Sequence, residues 1–117
     1  MLVDADEINR FITHKLLKSV GFSGYIIHFM EVDDAIAHLQ ASAPPDVLMI
    51  EFTYNEDDKF RILQALDAIE GNTTETVVLW DHHHEYYVHQ LSILFPIKAY
   101  YRKPMKIEEA EEVVKGM

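Results

Sequence analysis

The chain has no cysteine among its 117 residues, which excludes disulfides, thiol catalysis and cysteine-ligated zinc. Glycine and proline are scarce, four of each. No Gly- or Pro-rich linker, low-complexity tract or internal repeat divides the sequence. Basic charge is also short. Ten Lys and Arg stand against twenty Asp and Glu, a formal net charge of −10. So acidic a surface is repelled by phosphate backbones, and direct nucleic-acid binding is not expected. No apolar run approaches the roughly 18 residues of a membrane span, and no charged-then-apolar leader opens the chain. What remains is a chain with 49% apolar residues, enough to bury a core without staples. One cytoplasmic domain spanning 1–117 is expected.

The apolar residues fall into two patterns. Short runs rich in Val, Ile and aromatics occupy Met1–Val3, Tyr25–Met30, Val47–Phe52, Val77–Trp80 and Ala99–Tyr101, as suits strands buried on both faces. Between them lie stripes of helical period. Ile8, Phe11, Ile12 and Leu16 form the first, stopped by Gly21. Val32, Ile36 and Leu39 form the second, before Ala43-Pro44-Pro45. Phe60, Leu63, Leu66, Ala68 and Ile69 form the third, ended by Gly71-Asn72. Tyr87, Leu91, Leu94 and Phe95 precede Pro96, and Ile107, Ala110, Val113 and Val114 close the series. Five strands alternating with five helices predict parallel pairing through right-handed crossovers, a three-layer α/β sandwich. Ligands in such sheets sit at the carboxyl ends of the strands.

Those ends carry charge. The first run leads into Asp4-Ala5-Asp6, the third ends at Glu51, the fourth at Trp80-Asp81, and the fifth leads to Lys103-Pro104. Leu2-Val3-Asp4-Ala5-Asp6-Glu7-Ile8-Asn9-Arg10, Pro45-Asp46-Val47-Leu48-Met49-Ile50-Glu51 and Tyr100-Tyr101-Arg102-Lys103-Pro104, in this order and spacing, resemble the receiver domain of two-component response regulators. The resemblance covers essentially the whole chain. It implies a flavodoxin-like fold with strand order 2-1-3-4-5, a role in bacterial phosphorelay signalling and no enzymatic activity of its own. It implies a histidine kinase, phosphotransfer protein or output domain as partner. The first strand and last helix are short for that family, which leaves an attached output domain open.

Carried over position by position, the resemblance is incomplete. The acidic pair that holds magnesium in the family matches Asp4, but its direct ligand falls on Ala5, with Asp6 next to it. The phosphoacceptor aspartate falls on Glu51, and the phosphoryl-contacting hydroxyl residue on Trp80. Lys103 and Pro104, the latter usually preceded by a cis bond, are retained. The usual Pro and Gly after the acceptor become Asn55 and Lys59, and about one extra residue lies between Trp80 and Lys103. Losing a ligand carboxylate leaves magnesium, held by Asp4 and Glu51, weakly bound. The longer glutamate arm spoils in-line attack. Impaired phosphorylation is therefore expected. Glu51 has three readings: an imitation of the phosphorylated aspartate that reaches Lys103, a poor phosphoacceptor, or half of an ion pair with Lys103. With the Trp80 indole in place, Tyr100 is expected to find no inward cavity, which damps the family's two-state movement.

Three further features remain. His82, Glu85 and His89 fall at i, i+3 and i+7 and offer a metal-binding face, the alternative being a solvated helix start. His14, His28 and His38 read as scattered structural or surface residues. Glu56-Asp57-Asp58, after the third strand, either adds negative potential that loosely attracts a cation or, the preferred reading, is a solvated loop that favours the following helix's N-terminus. The face of fourth helix, fifth strand and fifth helix carries Tyr86, Tyr87, Tyr101, Arg102 and Lys106 against Glu108, Glu109, Glu111 and Glu112. It suits a protein partner or a homodimer, and equally an ordinary surface.

Overall fold

The structure, a computed structural model, describes residues 1–51, 56–80 and 91–116, with only the backbone of 56 and 57. In chain order the elements are β1 (Leu2–Val3), α1 (Glu7–Ser19), β2 (His28–Phe29), α2 (Val32–Ala41), β3 (Val47–Glu51), α3 (Glu56–Asp67) and β4 (Glu75–Trp80). A helical turn over 91–94 (α4), β5 (Ala99–Arg102) and α5 (Ile107–Lys115) complete them. All strand pairs are parallel, in the order β2-β1-β3-β4-β5. The expected flavodoxin-like topology is present.

Alternation along the strands divides the core into two layers. Val3, Leu48, Ile50 and Val78 face α2, α3 and Leu91 of α4. Leu2, Val47, Met49, Val77 and Leu79 face α1 and α5. The central strands β3 and β4 are almost wholly buried, as their continuous apolar runs require. The edges differ. The run Tyr25–Met30 gives a strand of only two residues, and Tyr25, Ile27 and Met30 are exposed. β5, at the other edge, is half-buried. An edge strand has one neighbour, so an apolar run there need not be covered.

The first helix departs from its apolar pattern. Ile8 is 72% exposed and Phe11 61% exposed, with Ile12 outside as well. The buried residues are Asn9, Thr13 and Leu17, and of the expected stripe only Leu16 packs on the core. The helix's rotation is set at its N-terminus. Asp6 caps it, its carboxylate accepting from the Ile8 and Asn9 amides at 3.0 and 3.2 Å. Asn9 Nδ2 donates to Asp4 Oδ2 at 2.6 Å. With Asn9 turned inward, residues four and eight further on follow it, and the larger apolar side chains face out. The helix ends at Gly21, whose φ of +99° lets Phe22 donate back to the Leu17 carbonyl at 3.1 Å.

This rotation has a direct test in stability. Leu17→Ala is expected to cost about 2–5 kcal/mol. Phe11→Ala, although it removes the larger side chain, is expected to cost less than about 0.5 kcal/mol. Denaturant titration of the two variants decides; the reverse order would mean that the apolar stripe is the buried face.

Candidate functional site

Register brings the charged residues together. Val3 stands opposite Ile50, so Asp4 and Glu51 leave the sheet side by side at its carboxyl edge. Trp80 stands opposite Arg102, and Lys103 follows immediately. Its amide donates to the Trp80 carbonyl at 2.7 Å. Lys103 Nζ lies 2.9 Å from Glu51 Oε1, with side chains 17% and 1% exposed. A carboxylate so buried demands a cation, and the fifth strand supplies one. The Lys103-Pro104 bond is cis.

Asp4 is fully buried and held by neutral donors. Oδ1 accepts from the Asp6 amide at 2.9 Å, and Oδ2 from Asn9 Nδ2. Arg10 donates to the Asp4 carbonyl. Burial pushes the Asp4 carboxyl above the usual range; hydrogen bonds from Asn9 and Asp6 and the charge of Lys103 oppose this, and Glu51 adds to it. Two carboxylates share one ammonium, and Asp4 bears the imbalance.

Asp6 does not join this pocket. Its carboxylate is committed to the α1 cap and is exposed, because the turn after Asp4 directs it at the helix amides. Ala5 offers no ligand. Among the described residues no group of three His, Asp or Glu could hold a metal. Magnesium prefers octahedral oxygen coordination, and at Glu51 an ammonium already stands where a cation would bind. The residues present do not fit a magnesium site built on Asp4 and Glu51.

Trp80 and Tyr100 share one face. Both pack on the core layer of α2 and α3, and Arg102 lies over the indole at 6.0 Å from its centroid. Tyr100 is half-buried, with its hydroxyl buried. Burial pushes its phenol upward, against a hydrogen bond with Ser92. Lys59 departs from expectation. It lies within α3, not in the preceding loop, and is buried.

Outside the pocket, Glu56-Asp57-Asp58 forms the first turn of α3 and not a loop before it; Asp58, partly exposed, pairs with Arg61 at 2.9 Å, and Arg61 also binds Asp33 of α2. On the α4–β5–α5 face the Tyr101 hydroxyl donates to Glu112 Oε2 at 2.9 Å, and burial and then Glu112 push its phenol up to about 12. Ile93, Leu94 and Ile107 are exposed there. The metal-face residues His82, Glu85 and His89, with Asn55, Tyr86, Tyr87 and the extra residue expected near the start of the fourth helix, lie outside the described residues. Sequence reasoning gave Asn9 and Arg10 no role, yet both bind Asp4. Their signal was position, five and six residues after a strand-end aspartate.

Two outcomes test this geometry. A raised Asp4 means the folded state holds its proton more tightly than the unfolded chain. Stability therefore falls as pH rises from 3.8 through the raised value, and ionised Asp4 costs stability at neutral pH. Asp4→Asn is expected to raise the melting temperature at pH 7 by several degrees, the shift that about 1 kcal/mol produces in a domain of this size. The gain should vanish below 3.8, where both states carry the proton. Lys103→Met is expected to cost about 3–5 kcal/mol by stranding Glu51. Adding Glu51→Gln should restore most of that loss in a double-mutant cycle; additive losses would mean that the two charges do not interact.

No protein-family model matches the sequence, and no curated protein matches it significantly. Solved structures match in shape. A response regulator receiver protein from Burkholderia phymatum superposes with a TM-score of 0.75 at 21% identity, over 98% of this chain and 90% of that one. A response regulator receiver domain from Methylobacillus flagellatus gives 0.77 at 16% identity, over 98% and 93%. An adenylate cyclase from Rhodopirellula baltica gives 0.76 at 16% identity, over 98% and 82%. At these identities the likeness is one of fold. This chain has the fold of response-regulator receiver domains.

Proposed function

We propose that residues 1–117 are one receiver-like module of two-component signalling, a pseudo-receiver that acts by protein–protein contact with its phosphoacceptor chemistry impaired. The observation that carries this reading is the buried ion pair of Glu51 and Lys103 at 2.9 Å. Phosphoryl transfer to a carboxylate needs an exposed nucleophilic oxygen and a divalent cation to neutralise charge. Here the carboxylate at the acceptor position is 1% exposed and already neutralised from within. The lysine that would meet a phosphoryl oxygen meets the glutamate instead, as in an imitation of the modified state or a plain structural pair.

On this reading the chain is not an enzyme, is cytoplasmic and bacterial, and presents a standing surface to a histidine kinase, phosphotransfer protein or output domain. No helix among the described residues is long and apolar enough to cross a membrane. Exposed Ile93, Leu94 and Ile107 support the α4–β5–α5 face as the contact, with a partner or a second copy.

The test is the intact mass after incubation with magnesium and acetyl phosphate. Wild type is expected to gain no phosphoryl adduct, and Glu51→Asp with Ala5→Asp and Trp80→Thr is expected to gain one. An adduct on wild type that disappears in Glu51→Gln would replace this reading with a working phosphoacceptor at Glu51.

A further inference from the structure

Two histidines that read as scattered in sequence meet in the fold. His14, on α1, and His28, in edge strand β2, face each other with Nδ1 of the first 2.7 Å from Nε2 of the second. The ring centroids are 4.9 Å apart and the planes 28° from parallel. That centroid separation is just under the nitrogen separation plus two ring radii. The rings therefore meet edge to edge, nitrogen facing nitrogen. One nitrogen donates and the other accepts, so the facing atoms hold one proton between them and never two. His14 is half-buried and His28 exposed. Partial burial, and then the charges of His14, Arg10 and the amino terminus, hold His28 below the usual histidine range.

We infer that His14 and His28 form a two-imidazole chelate site for a divalent transition-metal ion, which takes the place of the shared proton. Imidazole nitrogens bind such ions at about 2.0–2.1 Å, and two ligands at a right angle then stand about 2.9 Å apart. The observed 2.7 Å is close to that separation. Rotation of the two rings aims both lone pairs at one ion and requires no new approach of α1 to β2. No third His, Asp or Glu joins them among the described residues, so water completes the coordination. Arg10, a nearby cation that opposes the ion, is directed at the Asp4 carbonyl. The chain's net charge of −10 favours cation approach.

The experiment is a Cu2+ titration of the whole chain at neutral pH, followed by calorimetry and by the nitrogen hyperfine pattern in electron paramagnetic resonance. One equivalent with two equatorial nitrogens is expected. Either His14→Gln or His28→Gln should weaken it about a hundredfold, the usual scale of a lost chelate. The double variant, left with neither imidazole, should lose the site altogether. Unchanged stoichiometry and affinity in the double variant would falsify the site and place the copper elsewhere, such as the His82–His84 run. A second readout needs no substitution: substoichiometric Cu2+ should broaden the His14 and His28 ring signals together in NMR spectra. Ring signals that stay sharp while other histidines broaden would overturn the inference equally.

Discussion

A carboxylate buried at the end of a central strand is the constraint on which the rest of this molecule turns. Glu51 closes β3 at 1% exposure, and an ionised group there is untenable without a cation. The strand after next in sequence brings one. β5 must therefore pair with β4 in the register that puts Trp80 opposite Arg102, so that Lys103 emerges beside Glu51. Once Lys103 is committed, Asp4 has no ammonium of its own and is held by the Asp6 amide and Asn9. That requirement fixes the rotation of α1 and turns Ile8 and Phe11 to the outside. One ion pair thus reaches from the sheet's carboxyl edge to the exposed face of the first helix.

The same charges bear on chemistry. A pocket with three carboxylates and one ammonium would carry excess negative charge that a divalent ion relieves. Here Ala5 removes one carboxylate and Asp6, committed to the cap, does not replace it, leaving two carboxylates and Lys103. The residual imbalance is a single charge, and with burial it raises the proton affinity of Asp4. The charge that offsets the buried Glu51 is the Lys103 ammonium. This is the physical basis for reading the site as complete without an ion.

Much of this was legible in the sequence because it rests on continuous apolar runs and on what stands at their ends. The runs at Val47–Glu51 and Val77–Trp80 mark strands buried on both sides, and their ends mark the pocket. The failures share a cause. Tyr25–Met30 has the composition of a buried strand but lies at an edge, and only topology distinguishes the two. Ile8, Phe11 and Ile12 have helical spacing, but a helix's rotation is decided by what its polar face must reach, here Asp4 through Asn9. His14 and His28 are separated by a helix end, a turn and the entry to an edge strand, and no local pattern announces their contact. Pairings across elements are set by packing, which one-dimensional periodicity does not encode.

A receiver that switches needs two arrangements within a few kcal/mol of each other. Moving Lys103 away from Glu51 strands a buried carboxylate, at a cost of about 3–5 kcal/mol. That alone holds the alternative arrangement below roughly one molecule in a hundred. The aromatic side of the pocket adds no compensating freedom. Trp80 and Tyr100 pack on the same core layer, and the Tyr100 hydroxyl is already buried. A buried phenol hydroxyl and a satisfied lysine are both present before any modification. On the proposed reading, the surface beside them on β5 and α5 is therefore constant, and a partner that binds it meets one conformation and not a population to be shifted.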